Sequence, residues 1–420
     1  MVDSHSISTL KDKVRQVIEG HRDELLSLSH QIHEHPELGL EEHFASRLLC
    51  DYLEAHGFAV TRGAYGLETA FEATVGDASN ARRRFVVCAE YDALPEVGHA
   101  CGHNIIAAAA VGAALGAGAL REEADFAVTV LGTPAEETIG GKALLVQRGA
   151  LEGVDAAMMV HPAPVDVLMA PYLAVTDLRI SVKGAARHAS FQVGGSANPL
   201  DLLVDIHKKV RAEQKSEWER VAGIFTKGGT APNVVPELVE AYYYLRAKNS
   251  DELKGLVSRV RQIAEETAEG SGCELVIESS GMFFDDVLHN VTLARCYEAN
   301  AKALGRRFFP EERLTPAMAA STDMGNVSHV VAAIHPAIGI DSLPYLNHER
   351  GFAEAAGDER GDRAVLDGAI AMAWTITDLA VDDALAEAVA TEFRDAAQSK
   401  FTASGGEAAG ATPTSPGPSD

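Results

Sequence analysis

The 420-residue chain carries 36 lysines and arginines against 61 aspartates and glutamates, a formal net charge of −25 at pH 7. Such an acidic surface repels phosphate backbones and anionic lipid heads, so we expect neither a nucleic-acid partner nor a membrane partner. With 46% hydrophobic and 23% charged residues the composition is that of a globular protein, and the length predicts several domains or one domain with an insertion.

The N-terminal part shows helical periodicity and no secretory signal. Its first residues are polar, and apolar residues then recur at helical spacing over 9–57, interrupted by the His-Pro-Glu-Leu-Gly turn at 35–39. We expect two helices here, with the turn capping a helix. The five scattered cysteines do not form a disulfide framework, which favours a reducing, cytoplasmic location.

Strands and helices alternate in the segment that follows. Apolar runs predict strands at 84–89, 126–131 and 156–160, with helices at 105–120 and 141–148 between them. The helix at 105–120 is rich in alanine and glycine and too short to span a membrane, so we expect it to be buried against a sheet. The alternation predicts an α/β domain with a largely parallel sheet flanked by helices.

The pattern changes near residue 173, where a compact unit begins. Strands at 175–182, 220–226, 238–247 and 273–279 and helices at 198–213 and 250–269 follow in the order βαββαβ. This order predicts a compact two-layer, ferredoxin-like unit inserted at 173–285.

The sequence on either side of this insertion, 1–172 with 286–401, is predicted to form one domain. After the insertion, helical spacing resumes at 287–304, an apolar run follows at 330–340, and a last helix is expected at 362–401. The remaining residues, 402–420, are rich in Gly, Pro and Ser and predict a disordered tail.

Candidate ligands follow three successive predicted strands. Cys101 and His103 follow the first strand, Glu136 and Glu137 the second, and His161 the third. Because the carboxyl ends of parallel strands meet at one edge of a sheet, we expect these side chains to converge. A thiolate with imidazoles and carboxylates suits Zn²⁺, Mn²⁺, Co²⁺ or Ni²⁺ better than Mg²⁺ or Ca²⁺. Each residue alone has an ordinary structural explanation, but their joint placement predicts a metal-dependent hydrolase.

These motifs resemble those of the M20 metallopeptidases, specifically the aminoacylase-like and aminobenzoyl-glutamate-hydrolase-like amidohydrolases. The matching motifs run in order along most of the chain: HEHPELGLEE at 33–42, EYDALPEVGHACGHN at 90–104, GTPAEETIGGK at 132–142, MMVHP at 158–162, KGAARHAS at 183–190, APNVVPE at 231–237, STDMGNVS at 321–328 and LNHERGF at 346–352. The resemblance implies two divalent metal ions, Zn²⁺ or Mn²⁺ first, with Co²⁺ or Ni²⁺ as further options.

The resemblance also implies that 1–172 with 286–401 is the catalytic, metal-binding domain and that the inserted unit, 173–285, is a lid or dimerisation domain. It further implies roles for individual residues. The implied metal ligands are Cys101, His103, Glu137, His161 and His348. The thiolate of Cys101 would bridge the two ions, and Glu136 would act as general base and acid on a metal-activated water. Asp323 lies in a matching motif but is given no ligand role.

Three residues of the inserted unit match as well. His188 resembles a histidine that reaches the active site of a neighbouring subunit and hydrogen-bonds the substrate or the developing oxyanion, so we expect a homodimer or higher homo-oligomer. Asn233 and Arg246 resemble the groups that bind the substrate carboxylate, and without the resemblance both would be interpreted as structural. One residue departs from the family: Asn104 replaces an aspartate that could accept a hydrogen bond beside the ligands.

The leading functional hypothesis is hydrolysis of the amide bond of a small N-acyl or N-aminoacyl amino acid. A dipeptidase or carboxypeptidase of the same family is the nearest alternative. Two hypotheses from other classes stay open: a hydrolase with Cys101 as nucleophile and His103 as base, and a non-catalytic binding module. Sensitivity to a chelator separates the first from a metal enzyme, and Glu136→Gln separates the second.

Overall fold

The computed structural model describes residues 4–190 and 197–403, so the predicted tail lies, from residue 404 onward, outside the described residues. The α-helices of the described residues are α1 (Ser4–Gly20), α2 (Arg22–Glu34), α3 (His43–Ala55), α4 (His103–Gly118), α5 (Arg121–Ala124), α6 (Gly141–Gln147), α7 (Pro199–Ala212), α8 (Ser250–Ala268), α9 (Val291–Ala303), α10 (Met324–Ser328), α11 (Arg350–Ala356), α12 (Glu359–Val381) and α13 (Asp383–Ala403). The strands of the same residues are β1 (Ala59–Arg62), β2 (Phe71–Val75), β3 (Arg83–Ala89), β4 (Phe126–Gly132), β5 (Ala156–Met158), β6 (His161–Ala163), β7 (Ala174–Lys183), β8 (Arg187–His188), β9 (Arg220–Lys227), β10 (Val234–Val235), β11 (Leu238–Ala247), β12 (Glu274–Glu278), β13 (Phe283–Phe284), β14 (Ala332–Ile334) and β15 (Ala337–Gly339).

The larger unit is built on a six-stranded sheet in the order β1-β2-β4-β3-β5-β14. Its centre is parallel, since β3 pairs in parallel with β4 and β5, and β5 pairs in parallel with β14. Two antiparallel strands, β2 and β1, extend the sheet beyond β4. The predicted α/β architecture with a largely parallel sheet is therefore confirmed.

Helix α4 lies against this sheet with all of its residues buried. Its small residues allow neighbouring helices to approach closely: a Cβ atom at Gly116 would lie 2.7 Å from the side chain of Ile18, and one at Gly112 would lie 2.8 Å from the Cβ of Ala369. The alanine- and glycine-rich run is thus a core helix, as predicted. Among the described residues, α12 is the helix long and apolar enough to span a membrane, and 83% of its apolar window is buried inside the protein.

The inserted unit is a separate antiparallel sheet in the order β12-β7-β11-β9, with β13 pairing to β7 beside β12. Helices α7 and α8 cover the sheet, and together they bury a core that includes Leu203, Ile206, Tyr243 and Leu256. The element order β7-α7-β9-β11-α8-β12 confirms the predicted βαββαβ unit.

The structure divides some predicted elements further. The first segment holds three helices rather than two, because α1 ends at Gly20, a poor helix former, and α2 begins after His21. The predicted last helix breaks at Asp382, whose carboxylate accepts the backbone N–H groups of Ala384 (3.0 Å) and Leu385 (3.1 Å) and so caps α13. The turn at 35–39 caps a helix as expected, since the Glu37 carboxylate accepts the N–H of Phe44 at 2.8 Å.

Candidate metal centre

The loops that follow three adjacent parallel strands meet at one edge of the large sheet. The loop after β3 carries Cys101 and leads to His103 at the start of α4, and the loop after β4 carries the pair Glu136 and Glu137. His161 is the first residue of β6, just beyond β5. The strand order β4-β3-β5 makes these three chain segments neighbours.

The ligand atoms of five predicted residues converge there. The Sγ atom of Cys101 lies 3.5 Å from His161 Nε2 and 3.6 Å from Nε2 of His348, which comes from the loop after β15. Glu137 Oε1 lies 3.7 Å from His348 Nε2 and 3.9 Å from His103 Nε2. The atoms form three groups, each within 4.8 Å: Cys101 with His103 and His161, Cys101 with Glu137 and His348, and His103 with Glu136 and Glu137. Cys101, His103 and Glu137 each belong to two of these groups.

The chemistry of this donor set fits two divalent cations. A tetrahedral ion with bonds of about 2.0 to 2.3 Å holds its ligand atoms roughly 3.3 to 3.8 Å apart, close to the separations found here. The Nε2 atom of His103 and Oε1 of Glu137 are buried without a hydrogen-bond partner among the described residues. Buried polar atoms rarely remain unpaired, so these atoms mark places where a ligand is expected.

Hydrogen bonds orient two of the imidazoles toward the cluster. The Nδ1–H of His103 donates to the carbonyl oxygen (2.8 Å) and the Oδ1 atom (3.0 Å) of Asp92. The Nδ1–H of His161 donates to the carbonyl oxygen of Pro162 at 2.8 Å. In the neutral imidazole each bond places the proton on Nδ1 and leaves a lone pair on Nε2, the arrangement found behind metal-binding histidines.

The backbone near the cluster is held in unusual conformations. Gly102 has a φ of 79°, and a Cβ atom there would lie 2.8 Å from Pro162. His348 has a φ of 72°, which a residue with a side chain rarely adopts, and its N–H donates to the carbonyl of Ala100 at 2.9 Å. Non-glycine residues persist in such conformations where the surroundings enforce them, often at functional sites.

Glu136 lies next to the ligand Glu137 in a buried, acidic environment. Glu136 is 9% exposed. Its burial raises the pKa of its carboxyl well above the ordinary value, and the charge of Glu137 adds to the effect. Burial also raises the pKa of the Cys101 thiol, again with a contribution from Glu137. His161 shows the opposite effect, since burial lowers its pKa to about 4. Nearby divalent cations would oppose the shifts of Glu136 and Cys101 by favouring their anions, and would reinforce the shift of His161 by favouring the neutral imidazole.

A buried lysine lies beside the same group of carboxylates. The Nζ atom of Lys142, on α6, contacts Oε1 of Glu90 and lies 2.5 Å from Oδ1 of Asp323; all three side chains are fully buried. The Lys142 backbone N–H donates to Asp323 Oδ2 at 2.8 Å. The other oxygen of Glu90 has no hydrogen-bond partner among the described residues and lies 3.4 Å from His103 Nε2. The carboxylates around Lys142 therefore carry more negative charge than its single positive charge can balance.

Sequence reasoning did not identify Lys142, Glu90 or Asp92, although a signal was present. Glu90 and Asp92 stand in the loop that begins the Cys101 motif, and Lys142 interrupts an otherwise apolar helix start. An unpaired lysine is rarely buried, so this position could have indicated a carboxylate partner.

Asn104 does not face the ligand cluster. Its side-chain amide donates to Ser29 Oγ and to the carbonyl oxygen of Ala356, both at 2.9 Å. Asp92 supplies the acceptor for His103 instead. The departure from the family motif therefore affects helix packing rather than the hydrogen bonds that orient the imidazoles.

The three predicted residues of the inserted unit lie apart from this group. His188 and Asn233 are exposed on the ribbon formed by β8 and β10, where the Ala189 N–H donates to the Asn233 carbonyl at 2.9 Å. Arg246, on β11, donates from Nε to Ser321 Oγ at 3.2 Å, and burial lowers its pKa, as does the nearby Arg220. Arg246 thus contacts the larger unit two residues from Asp323.

Comparisons of the sequence and of the fold both identify similar known proteins. Residues 175–271 match the family described as the peptidase dimerisation domain. The chain is 37% identical over 404 residues to the Xaa-Arg dipeptidase of Mus musculus, covering 92% of this chain and 93% of that protein. It is 32% identical over 278 residues to a p-aminobenzoyl-glutamate hydrolase of Escherichia coli, covering 61% and 57%. The crystal structure of the YXEP protein of Bacillus subtilis, described as a dinuclear metal-binding peptidase from the M20 family, superposes with a TM-score of 0.62 at 20% identity, over 83% of this chain and 98% of that one.

Proposed function

The chain belongs to the M20 family of metallopeptidases and amidohydrolases, whose members hydrolyse amide bonds, and on this premise we propose that it is a dipeptidase acting on small peptides with a basic C-terminal residue. The observation that carries the catalytic part of the proposal is the convergence of Cys101, Glu137 and three histidines beside Glu136. The relative that is 37% identical over nearly the full length of both chains supports the substrate class.

The five convergent residues would hold the cations. Cys101, His103, Glu137, His161 and His348 together supply a thiolate, three imidazoles and a carboxylate for them. When bound, the two divalent cations would polarise the scissile carbonyl and make a water molecule acidic enough to attack at neutral pH.

Glu136 would carry the proton during the reaction. Its carboxylate takes a proton from the attacking water as the oxygen bonds to the carbonyl carbon, and then delivers that proton to the leaving nitrogen as the C–N bond breaks. The burial of Glu136 excludes bulk water and keeps the proton within the site. Two adjacent glutamates can divide this work, because Glu137 would bind the cations and Glu136 would remain free to exchange a proton.

The arrangement offers little support for Cys101 as a nucleophile. Burial raises the pKa of its thiol, so the sulfur needs a cation beside it to become the thiolate. Its Sγ atom lies 3.5 Å from His161 Nε2 and 3.6 Å from His348 Nε2, a spacing that suits a shared metal ion.

Charge supports recognition of a basic substrate with a free carboxylate. The net charge of −25 attracts cationic molecules to the protein surface. Arg246 is the candidate partner for the substrate carboxylate, since its guanidinium can form paired hydrogen bonds. Asn233 and His188 would contribute to the same substrate from the exposed ribbon of a second subunit.

A homodimer follows from the same proposal. Strand β9 is the edge of the inserted sheet, and it exposes 63% of Ile224 and 42% of Phe225. An exposed apolar edge strand is a surface that a second copy can cover. Residues 175–271, which include β9, match a dimerisation domain.

The experiment that tests the function is a substrate panel with metal removal and return. Purified protein is treated with a chelator, reloaded with Zn²⁺ or Mn²⁺, and assayed on dipeptides ending in Arg, Lys, Glu or Ala and on N-acetyl amino acids. The proposal expects activity only after reloading and the highest kcat/KM with Arg or Lys. Preference for N-acetyl amino acids would overturn the substrate class, and activity in excess chelator would overturn the metal mechanism.

A further inference from the structure

A second group of metal-binding side chains lies among the N-terminal helices, outside the sheet edge. His21 stands between α1 and α2, Glu24 lies in the first turn of α2, and His56 follows the end of α3. One ligand atom from each of the three residues lies within 4.8 Å of the other two. Two histidines and one glutamate are a ligand set that zinc uses in proteins.

The distances within this group suit a single ion. Glu24 Oε2 lies 2.9 Å from His21 Nδ1 and 3.5 Å from His56 Nε2. A tetrahedral zinc ion with bonds of about 2.1 Å holds its ligand atoms roughly 3.4 Å apart. Small changes of side-chain torsion would therefore give three ligand atoms the spacing of a zinc site, with the fourth position open to water.

Hydrogen bonds already orient His56 for this role. Its Nδ1–H donates to the carbonyl oxygen of Tyr52 at 2.7 Å, so the neutral imidazole has its lone pair on Nε2. That atom lies 3.5 Å from Glu24 Oε2, so a cation there would bind both and would replace the proton that His21 Nδ1 shares with the same oxygen. The Tyr52 hydroxyl donates to the same Glu24 oxygen at 2.7 Å and holds the carboxylate in place.

We propose that His21, Glu24 and His56 form a zinc site, separate from the candidate catalytic centre, which ties the start of α2 to the end of α3. The side chains are partly exposed, at 30%, 55% and 23%, so the ion can enter from solvent without rearrangement of the core. Imidazole ligands favour Zn²⁺, Co²⁺, Ni²⁺ or Cu²⁺ over Mg²⁺ and Ca²⁺. Because α2 packs on α4, whose first residue is His103, the site would stabilise helices that support the catalytic loop.

The test counts zinc ions bound by the full-length protein. Wild type and the variants His21→Ala, Glu24→Gln and His56→Ala are dialysed against the same buffered concentration of free Zn²⁺, and their zinc content is measured by atomic absorption. The control is His43→Ala, since His43 is an exposed histidine on α3 whose Nδ1 lies 3.8 Å from Glu68. Amide hydrolysis, measured in parallel, reports that each variant is folded and that its catalytic centre is filled.

The expected result is one zinc ion more in wild type and in His43→Ala than in each of the three site variants, with unchanged hydrolysis in all of them. Tyr52→Phe, which removes only the hydroxyl that holds Glu24, should retain the ion with about tenfold weaker affinity. Equal zinc content in wild type and the three site variants would overturn the proposal. Loss of the ion from fewer than three of them would place it elsewhere and overturn it as well.

Discussion

Replacing Lys142 with methionine should destabilise the metal-free protein strongly. The substitution keeps the length of the side chain but removes the ammonium group that contacts both Glu90 and Asp323, and all three side chains are fully buried. Breaking a buried ion pair by removing one partner costs about 3 to 5 kcal/mol, because the remaining charge is left uncompensated. We expect the free energy of unfolding to fall by about that amount.

The assay is urea unfolding of wild type and variant at pH 7 in the presence of a chelator. The matched control is Lys183→Met, which breaks a surface pair: Lys183 Nζ lies 3.1 Å from Glu274 Oε1, with 48% and 63% of the two side chains exposed. Such surface pairs contribute about 0 to 1 kcal/mol, so the control should unfold close to wild type. Loading with Zn²⁺ should shrink the Lys142→Met deficit, since added cations replace part of the lost charge.

The double variant Lys142→Met/Glu90→Gln provides the decisive comparison. Neutralising Glu90 removes one stranded charge, while Asp323 keeps the hydrogen bond from the backbone N–H of residue 142 at 2.8 Å. The double variant should therefore be more stable than Lys142→Met by about 1 to 3 kcal/mol. A single variant as stable as wild type, or a double variant less stable than the single, would refute the electrostatic reasoning.

Three further predictions concern other parts of the molecule. In the metal-free protein, burial lowers the pKa of His161 from 6.5 to about 4, so only the unfolded state takes up the proton between these pH values. Relative to His161→Asn, wild type should therefore lose about 3 kcal/mol of unfolding free energy as the pH falls from 7 to 4. Parallel pH curves of unfolding free energy for the two proteins would contradict this. Asn104→Asp places an anion opposite the carbonyl of Ala356 and should lower the unfolding free energy at pH 7 by about 3 kcal/mol. An unchanged urea midpoint would show that the two hydrogen bonds of the Asn104 amide do not stabilise the protein. The double variant Ile224→Glu/Phe225→Glu should sediment as a monomer with activity reduced about 10²-fold, because His188 would no longer reach a partner's site. The control Val291→Glu, at an exposed position on α9, should remain dimeric. A fully active monomer would exclude that role of His188.

The architecture was largely predictable from the sequence because its signals are local. The apolar runs of β3, β4 and β5 are buried strands of a parallel sheet, and β11 begins and ends at the predicted residues. Strands β1 and β2 were not predicted, because β1 is mostly exposed and β2 only half-buried, so neither shows a clear apolar pattern. The break at Asp382 was missed for a related reason: the apolar periodicity continues through it, and only the capping hydrogen bonds reveal a new helix.

The candidate site was predictable only in part. Residues at strand ends, such as Cys101 and Glu137, could be grouped from sequence because parallel strands bring their carboxyl ends together. His348 comes from a loop distant in sequence, and only the resemblance indicated it. The charge balance among Glu90, Lys142 and Asp323 depends on contacts between α6 and distant segments, which periodicity does not report.

The variant Glu136→Gln shows whether Glu136 moves the proton while its neighbours bind the metal ions. Zinc or manganese content and kcat are measured on the same reloaded preparation, with Glu137→Gln as the matched comparison one residue away. We expect Glu136→Gln to bind as much metal as wild type and to lose about 10³-fold in kcat, whereas Glu137→Gln should lose metal. A Glu136→Gln enzyme that turns over at the wild-type rate with its metal bound would exclude Glu136 as the proton carrier.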